Sequence, residues 1–147
     1  MMTILIALHV LAAIALIGPV MVSTSKFPAQ IAAARTDASA LGGLRNLAGL
    51  TNTYGAISAL VPVLGIAVFL TDMATYGKQG QFHGAILLAV IAWALLLFVI
   101  VPKQKNTVAA VESNDAAFDF DKARSSLAMF GGIFNLLWIV CAILMFI

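Results

Sequence analysis

The chain has 147 residues, of which 63% are Ala, Val, Ile, Leu, Met, Phe, Trp, Tyr or Cys and only 10% are charged, with a formal net charge of +2. Soluble domains carry about 25% charged residues, and a soluble fold of this size could not bury so much apolar surface. The composition therefore excludes a soluble enzyme, a disordered segment and a nucleic-acid-binding protein. It predicts a single-domain integral membrane protein surrounded by lipid.

Four segments are long and apolar enough to cross a bilayer, which requires about 20 mainly apolar residues. They cover residues 3–22, 51–71, 84–101 and 126–147, and none of them contains Asp, Glu, Lys or Arg. The segments are continuously apolar rather than alternating, which favours helices over the strands of a barrel. No basic residue precedes the first segment, so we interpret it as a retained helix rather than a signal peptide. The prediction is an all-α transmembrane four-helix bundle.

The basic residues lie in alternate loops. The loop between the second and third segments carries only Lys78. The other two loops carry the remaining seven: Lys26, Arg35, Arg45, Lys103, Lys105, Lys122 and Arg124. The positive-inside rule then predicts that these two loops are cytoplasmic and that both termini lie outside a bacterial-type plasma membrane. Both basic loops are longer than a simple turn between helices, so we expect helical extensions there, with a break at residues 113–115.

The two halves of the sequence share a spacing that is compatible with an internal duplication. His9 and Pro28 are 19 residues apart, and so are His83 and Pro102. Few other positions match, and a chain with two His and four Pro also allows coincidence. The spacing is therefore compatible with two tandem helical hairpins related by an axis along the membrane normal, and it is equally compatible with an unrepeated bundle.

His9 and His83 are the only histidines, and both fall toward the outer face of their helices. Neutral imidazole binds haem iron, copper or zinc, and two histidines on facing helices would suit a b-type haem. An interfacial histidine that hydrogen-bonds to the backbone, water or lipid explains the pattern without a cofactor, and a role with protons or quinone is a third interpretation. No residue set completes a protein-bound metal site.

Asn135 is the one amide in the fourth segment, and Pro62 lies midway along the second segment. An amide within a bundle can hydrogen-bond to another helix and fix the register, which is the role we expect for Asn135. Pro62 removes a backbone donor in the middle of the second segment and predicts a kink. The carbonyl freed near Ser58 must then find another donor, either the Ser58 hydroxyl or a group on a neighbouring helix.

Two tryptophans and a glycine pair suggest helix contacts. Trp93 and Trp138 lie near the middle of their segments rather than at the interfaces where Trp is common, and each indole N–H requires an acceptor. Gly131 and Gly132 give the fourth segment a flat face that allows close helix approach. These residues could pack inside the bundle or against another protein within the membrane.

The opening sequence ALHVLAAIALIGPVM resembles the start of a group of small bacterial four-helix integral membrane proteins of uncharacterised function, which begin with an "lHvlga" pattern followed by a Gly. The matching positions run from His9 to Ala13, with Gly18. A similar first-helix His occurs in membrane proteins of the protoporphyrinogen-oxidase and copper-resistance type, so this resemblance implies haem or copper. In size and layout the chain is also similar to accessory subunits of bacterial respiratory complexes.

The residues favour a function without catalysis. There is no nucleophile–base pair, phosphate loop or carboxylate pair within the segments. We expect a non-catalytic accessory or scaffolding subunit of a larger membrane complex, with other membrane-protein subunits as partners and a respiratory complex as one candidate. The alternative is a haem- or metal-binding membrane redox protein that uses His9 and His83. A small-ligand or lipid-binding module around the Pro62 kink is a third hypothesis.

Overall fold

The protein is all-α, as a computed structural model that describes all residues 1–147 shows. Four long helices account for most of the chain: α1 spans Met2–Thr36, α2 Ala38–Thr71, α3 Gly80–Glu112 and α4 Phe120–Leu144. Each is long and apolar enough to cross a membrane. A single helical turn, Met73–Tyr76, lies between α2 and α3. The predicted all-α four-helix architecture is therefore confirmed.

Three of the long helices are interrupted along their length. A π-helical turn at Ala13–Ile17 divides α1 into Met2–Ala12 and Gly18–Thr36. A break at Ser58 and Ala59 divides α2 into Ala38–Ile57 and Leu60–Thr71. Such interruptions are local changes of hydrogen-bonding pattern, and they let a helix bend or twist within a tightly packed bundle.

The third interruption, in α3, has the same kind of sequence context as the one in α1. A π-helical turn at Leu96–Ile100 separates Gly80–Leu95 from Val101–Glu112. Pro102 follows this turn two residues later, just as Pro19 follows the turn in α1. By backbone geometry Pro102 therefore corresponds to Pro19. The sequence spacing pairs it instead with Pro28, which lies inside Gly18–Thr36.

The helices are longer than a bilayer requires. α1 has 35 residues, or about 52 Å at 1.5 Å per residue, against a hydrocarbon core of about 30 Å. Its apolar run ends at Val22, so about four turns project beyond that core. We call this end of the bundle, where α1 joins α2 and α3 joins α4, the basic end. The opposite end, which holds both termini, is the terminal end.

The links at the basic end are short and capped by side chains. Asp37 alone separates α1 from α2, and its carboxylate accepts a 2.8 Å hydrogen bond from the Ser39 backbone N–H. The longer link after Glu112 contains Asn114 in the left-handed region, with φ of 52°, which ends α3 at the predicted break. Asp119 then begins α4 by accepting from the Lys122 N–H at 2.9 Å.

The buried core lies towards the basic end. There Gly18–Thr36 packs against both α2 and α4, whereas Met2–Ala12 at the terminal end packs mainly on Leu60–Thr71 and contains no buried residue. The core cluster consists of Val20, Phe27, Ile31, Ala34, Leu44, Ala92, Leu96, Ile100, Val101, Leu127 and Phe134. Seven of these eleven residues lie within the apolar segments, so the core continues from the projecting helices into the membrane-spanning part of the bundle.

Candidate functional site

His9 joins the terminal halves of α1 and α2. Its Nδ1 lies 3.0 Å from the Val61 carbonyl oxygen, the geometry of an N–H···O=C hydrogen bond between the two helices. Gly65, one turn along α2, provides the space: a Cβ there would lie 3.1 Å from His9 Cε1. Within Met2–Ala12 only Leu5, His9 and Ala12 are even partly buried, so one narrow stripe holds this segment against α2.

His83 occupies a more exposed position near the beginning of α3. Its Nδ1 lies 3.3 Å from the Gln79 carbonyl oxygen, and its ring meets Phe69 of α2 edge-on with the ring centroids 5.1 Å apart. Phe69 is one helical turn beyond Gly65, so the two histidines contact α2 at neighbouring turns.

The cofactor chemistry open to these histidines follows from their hydrogen bonds. With Nδ1 as the donor to a backbone carbonyl, Nε2 of each ring carries the lone pair that binds a metal, the tautomer usual in metal-ligating histidines. No group of three or more His, Cys, Asp or Glu side chains lies close enough to hold a metal ion. A cofactor at these two histidines stays a prediction from the sequence.

The α2 break next to Pro62 leaves carbonyl groups that both local and distant donors satisfy. Pro62 has no N–H for the Ser58 carbonyl, which accepts instead from the Val61 N–H at 3.0 Å. The Gly55 carbonyl accepts from the Ser58 hydroxyl at 2.7 Å and from the Trp93 indole N–H at 3.1 Å. The Ser58 carbonyl thus takes a backbone donor, the Val61 N–H, that differs from both donors expected from the sequence. Trp93 connects α3 to the broken turn of α2 through the Gly55 carbonyl.

Trp138 is packed differently. Its ring meets Phe134 edge-on at a centroid distance of 6.3 Å and lies against the core cluster. Its buried indole N–H has no hydrogen-bond partner within the protein. Both tryptophans therefore contribute to packing within the chain, and only Trp93 has an acceptor.

Gly131 lies at a close contact between the backbones of α4 and α1. A Cβ on Gly131 would lie 3.2 Å from the Thr24 carbonyl oxygen. Pro28 has no N–H to donate to that same carbonyl. The adjacent Gly132 has nothing within 4 Å of its Cβ position and lies on the exposed side of α4. The two glycines of the pair therefore have different environments.

Asn135 connects the same two helices one turn later. Its Nδ2 donates a 2.8 Å hydrogen bond to the Ser25 hydroxyl, which itself donates to the Met21 carbonyl. The Oδ1 of Asn135 is buried and has no partner. This arrangement is an interhelical contact of the kind that sets helix register in membranes.

Several interhelical contacts involve residues that the sequence did not single out. The hydroxyls of Ser23 and Thr51 are 2.8 Å apart and join α1 to α2, and Arg45 forms an ion pair with Glu112 between α2 and α3. Gln104 is fully buried with both amide atoms unpartnered. Ser23 and Thr51 each stand at the basic-end limit of an apolar run, which is a usable signal, whereas nothing in the sequence marked Gln104.

Comparison of the chain with protein-family models, with curated proteins and with solved structures finds no match in any of the three. The function of this bundle is therefore inferred from its own residues.

Proposed function

We propose that the chain is a non-catalytic accessory or scaffolding subunit of a larger bacterial membrane complex. The basic end faces the cytoplasm, and both termini lie on the outer side of the plasma membrane. The unequal distribution of Lys and Arg between the two ends supports this orientation. Its partners are other membrane-protein subunits, and a respiratory complex is the first assembly to test.

The observation that carries this proposal is the uncovered terminal half of α1. Ile4, Leu8 and Leu11 are each about half or more exposed, and they lie at spacings of four and three residues along one helix face. Met2–Ala12 has no buried residue and packs chiefly on one side, against Leu60–Thr71. A transmembrane helix of another subunit can pack along the remaining surface without disturbing the core at the basic end.

A tagged pull-down from native membranes in mild detergent, with mass spectrometry and stoichiometry, tests this proposal. We expect one set of partners in a fixed ratio. Replacing Leu8 and Leu11 together with Ala should weaken recovery of these partners. The matched control replaces Leu136 and Ile139 of α4 with Ala, since these side chains are similarly exposed but lie on another helix.

Two outcomes would contradict the proposal. Recovery of the chain alone from native membranes would exclude a stable complex. Equal loss of partners in the α1 and α4 variants would show that the terminal half of α1 has no special role. Trp93 is unsuitable for this test because its indole bonds to Gly55 within the chain, so its replacement would perturb the fold.

Haem or metal binding by His9 and His83 is the second candidate. The backbone hydrogen bonds at both Nδ1 atoms support it, because they leave each Nε2 available as a ligand. The purified protein should then show a visible absorption band that disappears in a variant carrying both His9→Ala and His83→Ala. A folded protein that has no such band, even after incubation with haem, and that contains no bound metal would exclude this function.

A further inference from the structure

The terminal halves of α1 and α2 are separated from the rest of their helices at the same depth. Ile17 ends the π-helical turn of α1 six residues before Ser23, and Ile57 precedes the break of α2 six residues after Thr51. Because the Ser23 and Thr51 hydroxyls bond to each other, both interruptions lie about 9 Å from that bond at 1.5 Å per residue. The two helices are therefore interrupted side by side.

The segments beyond these interruptions, Met2–Ala12 and Leu60–Thr71, pack on each other and form a unit that we call the arm. The His9 ring bonds to the Val61 carbonyl at 3.0 Å and fits against Gly65, so α1 and α2 are tied together inside the arm. Rotation of the arm as one body preserves this contact, whereas rotation of either segment alone would break it.

The arm is weakly attached to the rest of the bundle. No residue of the core cluster belongs to it, and no hydrogen bond joins it to α3 or α4. Its main outside contact is with Gly80–Leu95 of α3, where Phe69 meets His83 edge-on. A segment with so few buried contacts and bonds can move without unfolding the remainder. On the other side of the interruptions, side-chain hydrogen bonds join the helices at three places: Ser23 with Thr51, Gly55 with Trp93, and Ser25 with Asn135.

Both interruptions have the structure of a hinge. In α2 the Ala59 N–H leaves the Gly55 carbonyl for a 3.4 Å bond to Ala56, and Pro62 has no N–H, so two bonds of a regular helix are missing. In α1 the π-helical turn holds one residue more than an α-helical turn, and such turns are a common cause of helix bending. The link of residues 72–79 contains only one short helical turn and can adjust as the arm moves.

We propose that the arm pivots as one body about the line through Ala13–Ile17 of α1 and the break at Ser58 and Ala59 of α2. Met2–Ala12 has 11 residues and is about 17 Å long, so a rotation of about 20° moves its tip by about 6 Å. The motion changes the separation between the arm and the terminal half of α4 and carries the exposed face of α1 with it. The pivot needs no partner, so it can be measured in the isolated chain.

Distances between pairs of spin labels, measured by pulsed electron paramagnetic resonance in nanodiscs, test the pivot. Cys141 is first replaced with Ala so that only introduced cysteines carry labels. Labels at Ile4, near the tip of the arm, and at Ile143 of α4 occupy exposed positions and report the separation of the arm from α4. This separation should spread over about 6 Å, the displacement expected at the tip.

Two further label pairs report distances within single rigid bodies. Ile4 with Val63 lies inside the arm, and Leu50 with Met129 joins α2 to α4 near the basic end; all four side chains are exposed. Both pairs should give narrow distributions whose width is set by the labels alone. An equally narrow distribution between the arm and α4 would overturn the proposal. A broad distribution inside the arm would also overturn it, because α1 and α2 would then move separately.

Straightening the hinge separates a pivot from general looseness of the terminal end. Deleting Ala15 removes the extra residue of the π-helical turn, and Pro62→Ala restores a backbone donor to α2. Together they should narrow the distribution between the arm and α4, and Pro62→Ala alone should narrow it in part. The matched control is Pro102→Ala, beside the π-helical turn of α3 but outside the hinge. The label pair near the basic end reports whether each variant keeps its fold. No narrowing in a folded variant, or equal narrowing in the control, would contradict the pivot.

The role of His9 as the tie inside the arm has its own test. His9→Ala removes the bond to Val61 and should broaden the distribution between labels at Ile4 and Val63. His83→Ala is the matched control, because the His83 ring bonds within its own helix region and lies outside the arm. Equal distributions in the two variants would mean that His9 does not hold the arm together as one body.

Discussion

At the scale of single residues, one contact between α1 and α4 is built around a carbonyl group that a proline leaves without its helical N–H donor. Pro28 frees the Thr24 carbonyl, and α4 places Gly131 directly against it. Thr24 is buried, so this carbonyl cannot turn to water and a neighbouring residue must accommodate it. Glycine does so by bringing its backbone close, which a residue with a Cβ could not do.

Replacing Gly131 with Ala should therefore destabilise the protein, while Gly132→Ala should not. The new Cβ at position 131 would stand 3.2 Å from the Thr24 carbonyl oxygen, and overpacking of this kind typically costs about 1–3 kcal/mol. At position 132 the Cβ meets no atom within 4 Å, and Ala favours the helix. Thermal unfolding in one detergent compares the two variants; equal midpoints would show that α1 and α4 can separate without cost.

At the scale of helices, the break in α2 and the indole of Trp93 form one unit. The break withdraws the Ala59 N–H from the Gly55 carbonyl, because Ala59 bonds to Ala56 instead. Trp93 and Ser58 occupy the vacated acceptor. A regular helix would return the Gly55 carbonyl to its own ladder, so the Trp93 indole would share this acceptor with the Ala59 N–H.

Pro62→Ala and Trp93→Phe should therefore be non-additive in their effects on the free energy of unfolding. The Pro62→Ala substitution restores a donor to the Ser58 carbonyl, which favours a continuous helix and changes what Trp93 can bond to. Contacting residues couple by about 0.5–3 kcal/mol, whereas independent sites add to within about 0.5 kcal/mol. Trp138→Phe is the control, because its indole N–H has no partner to lose. If the effects of Trp93→Phe and Trp138→Phe were both additive with that of Pro62→Ala, Trp93 would not be coupled to the break in α2.

Asp37 makes the connection between α1 and α2 sensitive to pH. Hydrogen bonds from the Ser39 side chain and backbone hold the pKa of this carboxyl below its ordinary value. Because the pKa is lower in the folded state, the stabilisation is present at neutral pH and is lost as the pH falls through the lowered pKa. Asp37→Ala should thus be less stable than the unaltered chain at pH 7, with the difference shrinking in acid.

Asp37→Asn provides the comparison for this cap. The amide oxygen can still accept from the Ser39 N–H, so the variant should retain the cap but show no pH dependence from this position. Thermal unfolding of the three proteins from neutral to acidic pH measures the effect. A constant difference between the unaltered chain and the Asp37→Ala variant across that range would contradict the role of the ionised carboxylate.

At the scale of the whole molecule, stability and exposed surface are concentrated at opposite ends. The basic end holds most of the core cluster, whereas the terminal end consists of helix pairs that present their side chains mainly to lipid. This division allows partners or lipids to contact the terminal end while the packing at the other end stays intact.

Ala substitutions of two leucines in α2 test this difference in stability between the two ends. Leu44 is fully buried near the basic end. Its replacement with Ala should lower the free energy of unfolding by about 2–5 kcal/mol, because a cavity remains. Leu70, 59% exposed near the terminal end, should cost little, since its side chain meets lipid in both variants. Unfolding in detergent or nanodiscs compares them. A larger loss of stability for Leu70→Ala than for Leu44→Ala would contradict a stabilising core near the basic end.

The candidate residues divide according to how local their contacts are. The chemistry of proline predicts that Pro62 frees the Ser58 carbonyl, although its donor, the Val61 N–H, was not anticipated. That the Trp93 indole donates to the Gly55 carbonyl, while the Trp138 indole has no acceptor, depends on the rotation of α3 and α4, which helix periodicity does not define. Likewise, Gly131 and Gly132 are equivalent in the sequence, and only the position of Thr24 separates them.

The sequence by itself determined the helical membrane architecture, because lipid accepts only structures whose backbone groups bond internally and because four uncharged runs of sufficient length satisfy this requirement. It also indicated the break after Glu112, since short polar residues end helices through local hydrogen bonds. Only the tertiary structure decided the partners of His9 and Trp93 and the ion pair between Arg45 and Glu112. Each depends on contacts between residues that are distant in the chain, and such contacts are set by packing rather than by periodicity.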